Sequence, residues 1–265
     1  MAQVSQVQTN DGISWHVEQS GSGPHILLIP SGEGDCHCFT KLANLLSPNF
    51  TVTAFDLPCF SRTIAPHSTV ENLSPYKIAD QIVSLMDKLS IPSATVFGSS
   101  SGGIIAMAML SKYDERVTRA IIHEVPLHVI PGLKAQAEAP VSENPKIIAF
   151  YKDVFANVMN EDKASWEALG EDYHERLEKN FITWVKNYSP VVDEMKWDKE
   201  ELKAKSGRVN WTLGGLMPLS WFWENVVLAT EVGIKIDVLN CKHFPQVSIP
   251  EVLAEYIRKC HVAKT

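Results

Sequence analysis

The clearest chemical signal in the chain is a serine flanked by glycines two residues away on either side. The segment Gly98-Ser99-Ser100-Ser101-Gly102 follows the apolar run 94–97 and precedes a helical pattern that extends to residue 112. A nucleophile on a sharp turn between a strand and a helix has a strained backbone, so its neighbours must be very small. The pattern therefore predicts that Ser100 is a nucleophile. It also leaves the Ser101 amide at a helix N-terminus, where negative charge is favoured.

A serine hydroxyl is a weak nucleophile near neutral pH and requires a base. Among the nine histidines, His243 follows the last predicted strand, in Asn240-Cys241-Lys242-His243-Phe244-Pro245. A loop after the final strand of a parallel sheet can carry a base to a nucleophile that sits at the same edge. His243 is therefore the predicted base.

A carboxylate must orient the imidazole and stabilise its charged form. The loop after Leu213, where such an acid is usual, contains no Asp or Glu. The strand after the nucleophile helix ends instead in His123-Glu124-Val125-Pro126, so Glu124 is the first choice. Glu224, early in the next helix, is the alternative.

The negative charge that forms on an attacked carbonyl needs a second amide donor beside Ser101. The loop Pro30-Ser31-Gly32-Glu33-Gly34 follows an apolar strand, and its glycines allow the backbone to turn toward the nucleophile. We expect the N–H groups of Gly32 and Ser101 to form the oxyanion hole together.

These candidates require a sheet that brings several loops to one edge. Short apolar runs at 25–30, 50–55, 94–97 and 119–122 alternate with helical patterns, which predicts an α/β fold with a mostly parallel sheet. Asn10-Asp11-Gly12 predicts a hairpin between two earlier strands. The alternation stops near Pro126 and resumes after Ser206. We therefore expect a core domain at 1–126 and 207–265 and a helical cap domain at 127–206.

Composition excludes several classes of protein. The 265 residues include 24 Lys and Arg and 31 Asp and Glu, a net charge of −7 that does not suit nucleic-acid binding. No apolar run approaches the ~18 residues of a membrane helix, and Met1 to Ser5 show no secretory signal. Five irregularly spaced cysteines favour reduced thiols, so we expect a cytoplasmic protein without nucleic-acid or membrane partners. Cys36-His37-Cys38 lacks the spacing of a zinc site, and we expect neither metal nor cofactor.

Taken together, these segments resemble the α/β-hydrolase superfamily across nearly the whole chain, which implies an eight-stranded, mostly parallel sheet flanked by helices. The run from Phe55 to Arg62 resembles that superfamily's D-x-P-G-x-G/S-x-S segment, with Cys59 and Phe60 in place of glycines. The chain is most similar to the fungal zearalenone lactone hydrolases. The segments that carry this likeness are Gly32–Cys36, Phe55-Asp56, Gly98–Gly102, His123–Pro126, Ala156–Met159, Lys179–Trp184 and His243–Pro245.

The resemblance implies a triad of Ser100, Glu124 and His243 and a substrate of the resorcylic macrolactone class, opened through an acyl-enzyme. It also implies a pocket for this small molecule; the residues expected there are Ser31, Pro126, Met159, Trp184, Tyr188, Trp221, Phe222 and Phe244. A homodimer is suggested by the resemblance alone. Two other functions remain open: a general carboxylesterase with the same triad, and a ligand-sensing receptor on a hydrolase scaffold.

Overall fold

A computed structural model describes residues 2–128, 132–193 and 198–262 of the chain. Within these ranges a single sheet contains the strands β1 (Gln3–Gln8), β2 (Ser14–Ser20), β3 (His25–Ile29), β4 (Thr51–Phe55), β5 (Ala94–Ser99), β6 (Val117–His123), β7 (Val209–Gly214) and β8 (Ile236–Leu239). Their order is β1-β2-β4-β3-β5-β6-β7-β8. β1 and β2 form the predicted hairpin, and β2 is antiparallel to β4. Every other pairing is parallel, so the predicted eight-stranded, mostly parallel sheet is confirmed.

Helices occupy the connections between the strands and the segment after β8. They are α1 (Thr40–Leu46), α2 (Pro75–Lys88), α3 (Ser101–Lys112), α4 (Leu133–Glu138), α5 (Asn144–Asp153), α6 (Lys163–Glu167), α7 (Glu171–Thr183), α8 (Pro190–Asp193), α9 (Lys199–Ala204), α10 (Trp223–Glu231), α11 (Pro245–Ser248) and α12 (Pro250–Val262). Of these, α1, α2, α3 and α12 contact the sheet. The start of α2 carries a sequence signal for a helix N-terminus, a serine followed by a proline in Ser74-Pro75. In the structure Ser74 Oγ accepts a hydrogen bond from the Lys77 N–H at 3.2 Å, and Pro75 is the first helical residue.

The central strand β5 positions the predicted nucleophile. All six of its residues are buried, and it lies between β3 and β6 in parallel register. The carboxyl ends of parallel strands meet at one edge of a sheet, where α/β proteins place their ligands. The turns after β3, β5, β6, β7 and β8 therefore converge there, and they contain all five residues predicted for catalysis and oxyanion binding.

Helices α4 to α9 lie between β6 and β7, and several polar contacts attach this segment to the sheet side of the molecule. Arg176 Nε is 2.7 Å from Asp35 Oδ2, Asn180 Nδ2 donates to the Glu33 carbonyl at 2.7 Å, and the Tyr188 hydroxyl donates to a loop carbonyl at 2.8 Å. The division into a core domain at 1–126 and 207–265 and a cap at 127–206 remains a prediction. Residues 1, 129–131, 194–197 and 263–265 of that division lie outside the described residues.

None of the helices in the described ranges combines the length and the apolar character that crossing a bilayer requires. The cysteines Cys36, Cys38, Cys59, Cys241 and Cys260 all carry free thiols.

Candidate active site

Ser100 occupies the turn between β5 and α3 with φ 53° and ψ −128°, a backbone conformation that non-glycine residues rarely adopt. Its N–H donates to the His123 carbonyl at 2.8 Å. A Cβ on Gly98 would lie 2.2 Å from the Gly102 carbonyl oxygen, and one on Gly102 would lie 2.6 Å from the Ile29 oxygen. The two glycines are therefore required for the close approach of strand and helix that holds this strained turn.

Glu124 directly follows β6, also at positive φ (45°), and its side chain is fully buried. Each carboxylate oxygen has one donor: Oε1 accepts the Gly214 N–H at 2.8 Å, and Oε2 lies 2.6 Å from His243 Nδ1. Burial acts to raise the pKa of Glu124. The hydrogen bond from His243, the neighbouring imidazoles and the Gly214 amide outweigh burial and hold that pKa below its ordinary value. The group is therefore a carboxylate near neutral pH.

His243 lies in the loop after β8 and is 3% exposed. Its backbone N–H donates to the Met159 carbonyl at 2.9 Å, and its ring stacks on Phe222 with centroids 5.4 Å apart and planes 12° apart. Nδ1 is bound to Glu124, which leaves Nε2 as the ring nitrogen available for proton transfer.

The structure brings Glu124, and not Glu224, to His243. Glu224 is about half exposed, and its Oε2 lies 3.1 Å from His128 Nδ1. The loop after β7, which lacks an acid, instead supplies the amide of Gly214 to the Glu124 carboxylate.

Ser100 and His243 share a cavity of about 370 Å³. The predicted pocket residues that line it are Pro126, Met159, Trp221 and Phe222. Among the described residues, His128 and Ser220 also line it and were not predicted. The position of His128, four residues after Glu124 and past the end of β6, is the signal that could have placed it in the lining of the pocket.

Trp184 lies over the predicted oxyanion loop. A Cβ on Gly32 would be 3.2 to 3.5 Å from three indole carbons of Trp184, so the ring faces the side of Gly32 where a side chain would begin. Ser101 is the first residue of α3, and the first N–H groups of a helix have no partner within it. Trp184 also begins a π-helical turn (Trp184–Tyr188), and Met159 follows another (Val154–Val158). Such turns often occur at functional sites.

The side chains of three other predicted pocket residues make contacts outside the cavity that contains Ser100. Ser31 is buried, and its hydroxyl donates to Glu33 Oε2. The Tyr188 ring packs on Phe60 with centroids 4.6 Å apart, and Phe244 stacks against an indole of the helical segment. None of the three lines the described cavity, so their contact with substrate remains a prediction.

Within the described residues, His16, Glu18 and Cys36 are close enough together to hold a cation. Their polar atoms already have partners, because Glu18 Oε1 lies 3.0 Å from His16 Nε2 and 3.1 Å from Arg62 Nη1. Burial raises the pKa of the Cys36 thiol well above its ordinary value, which disfavours the thiolate that a metal would bind. His16 and Glu18 of β2 therefore belong to a polar network with Arg62.

Residues 24–189 match the family model described as the alpha/beta hydrolase fold. The chain therefore belongs to the α/β-hydrolase family. It is 36% identical over 256 residues to a zearalenone hydrolase from Bionectria ochroleuca, which covers 96% of each chain. It is 38% identical over 255 residues to a zearalenone hydrolase from Cladophialophora bantiana, covering 96% of this chain and 94% of the relative.

Solved structures share the fold at lower identity. An enol-lactonase from Burkholderia xenovorans superposes with a TM-score of 0.72 at 14% identity, covering 98% of this chain and 99% of that one. Carboxylesterase CesB from Bacillus subtilis superposes with a TM-score of 0.74 at 17% identity, covering 100% and 93%. The predicted family is confirmed, and the chain is a hydrolase that acts on esters or lactones.

Proposed function

We propose that this hydrolase opens the ester of a resorcylic macrolactone of the zearalenone type, with Ser100, His243 and Glu124 as its catalytic triad. The observation that carries the proposal is the 2.6 Å contact between His243 Nδ1 and Glu124 Oε2, in a histidine that lines the same cavity as Ser100. That arrangement is the one a serine hydrolase needs: a nucleophile, a base and an acid that orients the base.

In the first half-reaction, His243 Nε2 takes the proton of the Ser100 hydroxyl as Oγ attacks the ester carbonyl. Glu124 stabilises the imidazolium that forms. The N–H groups of Gly32 and Ser101 stabilise the tetrahedral oxyanion, and one such donor is worth roughly 10² to 10³ in rate. The imidazolium then protonates the leaving alkoxide, which gives an acyl-enzyme and an alcohol.

In the second half-reaction, His243 activates a water molecule that attacks the acyl-enzyme, and Ser100 recovers its proton. Because the ester is part of a ring, the released alcohol stays attached to the acyl group until this hydrolysis. The product is one hydroxy acid, heavier than the substrate by one water.

The pocket supports a mostly apolar substrate of moderate size. Its volume of about 370 Å³ lies in the usual range for small-molecule sites. Pro126, Met159, Trp221 and Phe222 offer apolar walls, and the Trp184 indole lies beside Gly32, where the reacting carbonyl would bind. Both fungal relatives named above are zearalenone hydrolases at 36 and 38% identity, which supports the same substrate class for this chain.

The test is incubation of the protein with zearalenone, with the product followed by chromatography and mass spectrometry. We expect ring opening by the wild type and none by Ser100→Ala. Ser99→Ala is the matched control, because the neighbouring Ser99 hydroxyl is buried without a hydrogen-bond partner in the structure. Faster turnover of short p-nitrophenyl esters than of macrolactones would indicate a general carboxylesterase. Saturable binding without turnover, unchanged in Ser100→Ala, would indicate a receptor.

A cytoplasmic location and a homodimer remain predictions. The free thiols agree with a reducing compartment, and analytical ultracentrifugation of the purified chain tests the dimer.

A further inference from the structure

His123 lies next to all three proposed catalytic residues, although it takes no part in the proposed reaction. It is the last residue of β6 and is completely buried. Its carbonyl accepts the Ser100 N–H at 2.8 Å, and it immediately precedes Glu124. Its side chain reaches the loop that carries His243.

The two ring nitrogens of His123 have different partners. Nε2 lies 3.3 Å from the Lys242 carbonyl oxygen, and Nδ1 lies 2.9 Å from Thr212 Oγ1. A carbonyl oxygen can only accept, so the contact with Lys242 places the ring proton on Nε2 and leaves Nδ1 as an acceptor that faces the Thr212 hydroxyl. The single proton of that hydroxyl is shared between Nδ1 and the Ile122 carbonyl oxygen, which lies 3.1 Å from Oγ1. Nε2 is also 3.7 Å from Glu124 Oε2, so its N–H faces the carboxylate as well as the carbonyl.

The ring stays neutral in this environment. Burial lowers the pKa of His123 to about 4, against the opposing effect of the nearby Glu124 carboxylate. A neutral ring with one proton matches the one-donor, one-acceptor pattern of its partners.

We propose that His123 is a positioning residue that joins β7 to the His243 loop through Thr212 and Lys242, and so holds His243 Nδ1 on Glu124 and Nε2 toward Ser100. Lys242 precedes His243, so a shift of its carbonyl moves the base directly. A misplacement of about 1 Å in a catalytic group can cost roughly 10²-fold in rate, so a single hydrogen bond at this point has a large effect. The inference rests on the proposed triad.

The test compares His123→Gln with His123→Phe in the full-length protein. Glutamine can still donate to the Lys242 carbonyl, whereas phenylalanine preserves the ring shape and removes the donor. We expect His123→Phe to lower kcat about 10- to 100-fold with KM within about threefold, and His123→Gln to stay within about fivefold of wild type. Rates are normalised to the fraction of Ser100 that an organophosphate labels, so misfolded protein does not count. His67→Phe, at a surface histidine, is the control expected to leave kcat unchanged.

A second readout does not require turnover. The His243 Nδ1 proton, short-bonded to Glu124, should give the most downfield proton NMR signal, and we expect that signal to shift or broaden in His123→Phe but persist in His123→Gln. If the wild type opens no lactone or ester while this signal behaves as described, the proposed function fails and the positioning role stands.

The inference is overturned if His123→Phe equals wild type in kcat per labelled site, or if the two variants are equally slow. Should His123→Phe not fold, Thr212 carries the test, because Thr212→Val removes the hydroxyl that faces both Nδ1 and the Ile122 carbonyl, whereas Thr212→Ser keeps it. We then expect Thr212→Val to be at least about threefold slower than Thr212→Ser at unchanged KM. Equal rates would refute the proposal.

Discussion

Replacement of Glu124 by glutamine is the sharpest test of the proposed triad, because the surroundings of Glu124 determine how an amide would lie. The Gly214 N–H can only donate, so it selects the glutamine oxygen at the Oε1 position, where it now contacts the carboxylate at 2.8 Å. The amide NH₂ must then occupy the Oε2 position, 2.6 Å from His243 Nδ1. A donor there forces Nδ1 to accept and moves the imidazole proton to Nε2.

A histidine with its proton on Nε2 cannot take the proton of Ser100. Loss of the ionised acceptor from such a triad, with its geometry intact, costs roughly 10⁴-fold in kcat, or about 5.5 kcal/mol of transition-state stabilisation. We therefore expect Glu124→Gln to lower kcat for lactone opening by about 10⁴-fold, with KM changed far less.

The matched control is Glu224→Gln. Glu224 is half exposed and bonded to His128, and glutamine retains an acceptor for that histidine, so we expect kcat within about threefold of wild type. Stopped-flow or discontinuous chromatographic assays of both variants, with far-UV circular dichroism to verify folding, provide the comparison. If Glu224→Gln were the slower variant, the assignment of Glu124 would be wrong.

Three further outcomes follow from the same contacts. Gly214→Ala should lower kcat at least about 10²-fold, because its Cβ would lie 2.6 Å from the carbonyl oxygens of Cys241 and Lys242, next to His243, and 2.9 Å from the Glu124 carboxylate. Gly215→Ala, whose nearest contact is a side-chain carbon at 3.0 Å, is the control expected to keep the wild-type kcat. The free energy of unfolding should fall by up to about 3 kcal/mol as pH drops from 6.5 to 4, because His123 is protonated in the unfolded chain over this range but stays neutral in the folded protein, where burial lowers its pKa to about 4. Urea titrations at several pH values measure this, and a His123→Gln variant with the same pH dependence of stability as the wild type would contradict it. Tyr188→Phe should lower the unfolding free energy by about 1 kcal/mol, since its hydroxyl bonds the Pro58 carbonyl. A severalfold rise in KM of the same variant is the result expected from the predicted contact with substrate, and an unchanged KM would contradict that contact.

Local patterns in the sequence predicted most of the sheet and the turn that carries Ser100. Apolar runs located the buried strands, and Ser74-Pro75 located the start of α2, because both signals depend only on neighbouring residues. The chain order of a serine, an acid and a histidine after the strands β5, β6 and β8 also led to the Glu124 and His243 pair that the structure brings into contact.

Long-range packing determined what the sequence could not predict. His123 meets Thr212 because β6 and β7 pair in a register that aligns these two residues, and no local pattern specifies that register. The π-helical turns before Met159 and after Thr183 depend on how the inserted segment packs, since a single i+5 turn has no sequence signature.

The departure from glycine at Cys59 illustrates the same limit. The backbone there still adopts φ 65°, and Phe60 fills the space over Gly34, where a Cβ would lie 2.0 Å from the phenyl ring. The sequence showed that Cys59 and Phe60 replace glycines. Only the fold shows that Cys59 keeps the positive φ that favours glycine and that the Phe60 ring packs against Gly34.

The bond from the His243 N–H to the Met159 carbonyl crosses from the strand framework to the inserted helices. The inserted segment that contributes Met159 to the cavity wall therefore also supports the loop of the proposed base. A chimaera that carries the corresponding segment of a relative should therefore differ in kcat as well as in substrate preference, unless the new segment places a carbonyl oxygen where it accepts the His243 N–H.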